Sequence, residues 1–146
     1  MNKEAAAFLT KERYDFSDLC TVMKLLRAPG GCPWDREQTH ASIRKNLIEE
    51  TYEVVEAIDN ADNVLLREEL GDLLLQVVFH ARMAEEEGAF DIGVVCDVIC
   101  RKLIVRHPHI FSDVTASTAG EVLDNWDQIK RATKKQKSTT ESMRSV

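Results

Sequence analysis

Apolar residues recur every three to four positions through most of this 146-residue chain, and no segment alternates in the two-residue rhythm of a strand. That period sets apolar side chains on one face of a helix, so the pattern predicts an all-α antiparallel helical bundle. A first helix is expected from Phe16, capped by Asp15 or Ser17, with Leu19, Val22, Met23 and Leu26 inward and Pro29, Gly30 and Gly31 as its stop. A second, opened by Thr39 or Ser42 and ending near Asp59, carries the stripe Ile43, Leu47, Thr51, Val54 and Ile58, widened by Ile48 and Val55. The third, from Asp62 or Asn63 to Glu87 before the stop at Gly88, carries Leu66, Leu70, Leu73, Val77 and Ala81 beside Leu65, Leu74 and Val78. A fourth, capped by Asp91, turns Ile92, Val95, Ile99 and Leu103 inward and ends before Pro108. The last starts at Thr118, with Glu121 at capping-box spacing and Val122, Trp126 and Ile129 on one face. Residues 1–15 read as a frayed arm, or an arm on a partner, 16–133 as a single helical domain, and 134–146 as a disordered polar tail.

Between the second and third helices, DNADN at 59–63 is rich in turn formers and short enough to fold them antiparallel. The two helices carry EETYE at 49–53 and ELGD at 69–72. Positions three apart share a helix face, so Glu50 with Glu53, and Glu69 with Asp72, form two acidic pairs facing each other. Glutamates on helices usually form a solvated acidic face. Here their apolar flanks place them at a core margin, where carboxylates need partners. Converging carboxylates repel unless a cation neutralises them, and hard divalent ions prefer oxygen ligands. Magnesium is the natural candidate, with manganese as a possible substitute.

Net charge and cysteine use narrow the function classes. A net charge of −6 argues against general binding to nucleic acid or an anionic membrane, both of which demand a basic face, and leaves room for a small anionic substrate held through metal. No apolar run approaches a bilayer span, and the first residues lack a secretion pattern, so a cytoplasmic protein is expected. Cys20, Cys32, Cys96 and Cys100 form no C-x-x-C and read as reduced, packed thiols, although Cys96 and Cys100, one turn apart, could also be adjacent metal ligands.

The stretch GGCPWDREQTH at 30–40 reads as an irregular loop. Its Trp34 either covers a pocket or plugs one end of the bundle. Glu37 and His40 have the E-x-x-H spacing of di-iron bundles, which need two such pairs. His80, eight residues past Asp72, reads as a packed or surface histidine. In the fourth helix Lys102 and Arg106, one turn apart, either complement the helix dipole or grip phosphate oxygens together. With no G-x-G-x-x-G or Walker sequence, any phosphate handling falls to such cations.

The blocks GGCPWDREQTH, EETYEVVEAI, REELGDLLLQVVFHARMAEEEGAF, RKLIVRHPHIF and NWDQIK, in this order, resemble the MazG-type nucleoside triphosphate pyrophosphohydrolases, whose signature is E-E-x-x-E followed by E-x-x-D. The likeness runs from about Phe16 to Lys130. It implies an all-α enzyme of the NTP pyrophosphatase type, dependent on magnesium, that cleaves nucleoside triphosphates between the α and β phosphates into a monophosphate and pyrophosphate. Carried over by position, it implies Glu50, Glu53, Glu69 and Asp72 as metal ligands and Glu49 as general base. It further implies Lys102, Arg106 and Lys130 as phosphate contacts, Trp126 at the nucleotide's border, and a homodimer. Asn46 stands where some catalytic domains of this type carry lysine. The competing class is a module of the same fold that binds nucleotide, or a protein partner, without turnover.

Overall fold

The computed structural model describes residues 2–113 and 118–144, with side chains through Ala132. Its elements are α1 (Lys3–Ala7), a 3-10 turn (Phe8–Thr10), α2 (Phe16–Arg27), α3 (Pro33–Glu37), α4 (Arg44–Asp59), α5 (Asn63–Glu86), α6 (Ile92–Arg106), α7 (Pro108–Phe111) and α8 (Ala119–Arg144). No strand occurs among the described residues, as the periodicity predicts. The chain divides into two compact units, 1–92 and 93–146.

In the first unit α4 and α5 form the main helix pair and α2 packs on α5. Local chemistry fixes their ends. Asp15 caps α2 in a reciprocal capping box with Asp18. Asp62 caps α5, accepting from Leu65 N at 3.0 Å. The α4–α5 turn is closed by Asp62 N donating to Ala57 O and Ala61 N to Ile58 O, with Ala61 left-handed at φ 51°. Gly88, at φ 75°, ends α5 by the same bonding pattern.

The core joins Met23 of α2, Ile43 before α4, and Val78, Phe79 and Met83 of α5, with Leu19, Cys20, Leu26 and Leu75 against it. Burying such side chains stabilises by about 1.5–3 kcal/mol each. This core sits beside the second half of α5.

Several sequence expectations are corrected. The 30–40 stretch is not wholly irregular, because Pro33 at the start of a helix has no amide to satisfy and permits the short α3. Gly31, in the tight return after α2, lies so close to the Leu25 and Leu26 carbonyls that a Cβ would stand 2.4 Å from Leu26 O. Thr39 and Ser42 bond to each other's amides one turn ahead of α4 rather than capping it directly. On α4 the buried positions are Val54 and Ala57, with Ile43 buried just before it, whereas Thr51, Ile48, Val55 and Ile58 are exposed. Leu70, Leu74 and Val77 of α5 likewise face outward, because the inward positions of that segment are taken by Glu69 and Gln76.

In the second unit α6 buries no residue, so Ile99 and Leu103, expected inward, are half exposed. Cys96 and Cys100 are exposed free thiols rather than packed ones, while Cys20 and Cys32 are half-buried. Thr118 accepts from Glu121 N at 3.2 Å at the start of α8. The α8 backbone continues helical to Arg144, through most of the tail expected to be disordered; its Lys, Gln, Glu, Met and Arg residues are good helix formers.

Candidate metal centre

The turn at Ala61 sets the register of the acidic pairs. Glu53 and Glu69 stand eight residues to either side of Ala61, and Glu50 and Asp72 eleven. In an antiparallel pair with a common rise per residue, each of those couples meets at one level. The structure brings all four together: one carboxylate oxygen from each of Glu50, Glu53, Glu69 and Asp72 lies within 4.8 Å of the other three.

Glu69 is 9% exposed and Glu50 half-buried, and each has a sealed Oε2 without a hydrogen-bond partner. A hydrogen bond to Glu53, loss of solvent, and the charges of Glu53, Asp72 and Glu50 push Glu69 up to about 7. Burial, then the charges of Glu53 and Asp72, raise Glu50 as well. Four acceptors with too few protons between them make a donor set suited to a hard dication. Among the described residues no other group of three or more metal-ligating side chains converges in this way.

Glu49 is not part of the cluster. It is exposed, its carboxylate 3.8 Å from Lys45 Nζ one turn earlier. Trp34, on α3, sets its ring edge-on to Phe79 at 6.5 Å and remains 55% exposed, so it is no plug. The E-x-x-H pair is split, with Glu37 ending α3 and His40 in the following turn, where its ring stacks on His80 at 5.0 Å. Their Nδ1 atoms are 2.7 Å apart. Burial and the neighbouring His40 lower the His80 pKa.

The importance of Arg27 was missed in the sequence. Its Nε donates to Glu86 at 2.7 Å and its NH1 to the Asp35 and Gln38 carbonyls, while the guanidinium lies over the Phe79 ring. It thereby ties the α3 segment to α2 and α5. A cation in the last turn of a helix reads as a dipole complement, and only the fold reveals its partners.

The candidate phosphate contacts belong to the second unit. Lys102 is exposed and Arg106 half-buried on α6, and Lys130 Nζ lies 5.8 Å from the Trp126 ring centre on α8. His107 stacks on the other partner of that pair, Trp126, at 6.4 Å.

Comparison with known proteins identifies the family of the chain. Residues 38–111 match the family model of the MazG nucleotide pyrophosphohydrolase domain, and the chain belongs to that family. It is 54% identical over 121 residues to the nucleoside triphosphate pyrophosphohydrolase of Escherichia coli (strain K12), covering 82% of this chain and 46% of that protein. It is 48% identical over 125 residues to the nucleoside triphosphate pyrophosphohydrolase/pyrophosphatase MazG of Thermotoga maritima, covering 86% and 48%. Identity to the uncharacterized protein YabN of Bacillus subtilis is 47% over 129 residues, covering 88% and 26%. The chain thus spans half or less of the length of these relatives. The crystal structure of a mazG-related protein from Thermotoga maritima shares the fold, with a TM-score of 0.66 at 24% identity over 79% of this chain and 98% of that one.

Proposed function

We propose that the chain is a magnesium-dependent nucleoside triphosphate pyrophosphohydrolase that cleaves between the α and β phosphates, releasing a nucleoside monophosphate and pyrophosphate. The observation that carries this is the convergence of Glu50, Glu53, Glu69 and Asp72 on one point, with one buried, unpartnered oxygen on each of Glu50 and Glu69. Relatives named for the same activity support it. Magnesium, or manganese in its place, would supply neutralisation of the triphosphate and of the charge developing in the transition state, and acidify the attacking water.

The protein's part is to hold that charge in place. The four carboxylates are positioned before substrate arrives, so little reorganisation is required during reaction. Lys102, Arg106 and Lys130 are the proposed phosphate contacts, with Trp126 and Trp34 bordering the nucleotide. Glu49 as general base is a separate proposal. Its place outside the cluster and its Lys45 partner make Glu49→Gln a test of that role alone.

A homodimer and a cytoplasmic setting complete the reading. Ile48, Tyr52 and Val55 on α4 and Leu70, Leu74 and Val77 on α5 leave a broad apolar surface exposed, a feature uncommon on a monomer. Leu74→Arg should halve the mass measured by light scattering.

The test of activity is pyrophosphate release from a panel of nucleoside triphosphates with magnesium. Glu53→Gln and Asp72→Asn should each reduce turnover at least about a hundredfold, the loss of several kcal/mol of charge stabilisation. Their helicity should be unchanged. Equal turnover in the variants would reject the site, and no turnover with tight partner binding would favour a non-catalytic module.

A further inference from the structure

Beyond Asp72, the inward face of α5 continues with Gln76 one turn on and His80 a turn further. Gln76 is 7% exposed and its Oε1 has no hydrogen-bond partner, and His80 Nε2 is sealed in the same condition. Native proteins pair nearly all buried polar atoms, so an orphaned amide oxygen calls for an explanation. Carboxylate crowding accounts for the orphan oxygens of Glu50 and Glu69. It does not account for a neutral glutamine.

Aromatic rings stand beside this segment. Trp34 stands edge-on to Phe79, and His40 stacks on His80, so α3 and its following turn flank α5 just past Gln76. In the opposite direction from Glu69, toward the α4–α5 turn, α5 offers Leu65 and Leu66. No orphaned polar atom is found there among the described residues. A nucleotide with its phosphates at the carboxylates places its base one to two helical turns away, at about 5.4 Å per turn. Among the described residues of the first unit, the Gln76 side of α5 joins a polar reader to aromatic rings at that reach.

We infer that Gln76 determines base specificity: its amide pairs with an N–H donor on the hydrogen-bonding edge of the base, beside the Trp34 ring, and the His40–His80 pair closes the far end. The inference rests on the hydrolase reading for the position of the phosphates. A site built to hydrogen-bond a substrate group discriminates strongly through it, because the wrong partner leaves a buried polar atom unpaired. The glutamine would therefore reduce the stability of the empty protein while serving the bound one.

The deciding variant is Gln76→Leu, with Gln76→Met as a second choice should the first lose helicity. Rates of pyrophosphate release are measured for ATP, GTP, CTP and UTP in the variant and the parent, together with magnesium affinity and the unfolding temperature of the nucleotide-free protein. The expected result is a loss of at least about tenfold in the ratio of kcat/KM between the best and worst base, unchanged magnesium affinity, and an unfolding temperature higher by about 2–4 °C. An unchanged ranking, with every kcat/KM within about twofold of the parent, overturns the inference while leaving the hydrolase reading intact. If the parent hydrolyses none of the four, calorimetry with the four nucleoside monophosphates in EDTA decides instead. Base-dependent affinity that disappears in the variant upholds the role of Gln76 and rejects only turnover, whereas equal affinities or no binding in the parent reject the role.

Discussion

Along α5, the turns from Glu69 to Gln76 bury a carboxylate and an amide and leave Leu70 and Leu74 at the surface, whereas the turns from Val78 to Ala84 bury Val78, Phe79, Ala81, Met83 and Ala84. One helix thus runs from a polar interior to an apolar one, with the change at Gln76 and Val78. The apolar half stabilises by removing surface from water. The polar half gathers like charges and orphaned atoms that oppose folding in the absence of a ligand. The difference teaches that the core around Met23 and Phe79 is the platform, and that the carboxylate level is held in place by the helix continuing out of it.

Changes in each half should therefore move stability in opposite directions. Met23→Ala, at a side chain 1% exposed, should cost about 2–5 kcal/mol by chemical denaturation, with the turnover of the remaining folded protein largely kept. Asp72→Asn should do the reverse, abolishing turnover while raising the unfolding temperature of the metal-free protein, since one of the mutually repelling charges is gone. A lowered unfolding temperature there would mean that the acidic level is structurally supportive, and the contrast would fail.

The pH dependence sharpens the same contrast. Glu69 is held above its ordinary 4.5, at about 7, so the folded chain keeps a proton that the unfolded chain releases. Stability of the metal-free protein should then fall as pH rises from about 4.5 to about 7 and level off above, a window set by those two values. Glu69→Gln should flatten that slope, and saturating magnesium should offset the loss; denaturant midpoints across the range read both.

The smallest expected effect is at the turn that sets the register. Ala61 has a left-handed backbone at φ 51°, which a residue with a Cβ adopts at a cost of about 1 kcal/mol. Ala61→Gly should raise stability by about that amount without altering turnover, measured by denaturation alongside the pyrophosphate assay. A fall in turnover would show that the stiffness of this turn helps to align the carboxylates.

Much of this was legible in the residues. Three-to-four periodicity specified helices, Asp15 and Asp62 capped where capping chemistry puts them, and the spacing within EETYE and ELGD put Glu50 with Glu53 and Glu69 with Asp72, because a helix's own geometry decides which of its residues share a face. The equal distances of the acidic couples from Ala61 were also open to a reader of the sequence. Which face of α4 and α5 turns inward was not. Their apolar stripes pointed to a core at Thr51, Ile58, Leu70 and Val77, yet those residues are exposed and Glu69 and Gln76 are buried. Hydrophobic periodicity marks a side that is to be covered but does not say by what, and only the packing of α2 and α4 on α5 decided which apolar positions lie inside beside the acidic pairs. For the same reason the bond of Arg27 to Glu86 and the stacking of His40 on His80 came from tertiary structure alone. They join residues far apart in the chain, and no local preference encodes such a meeting.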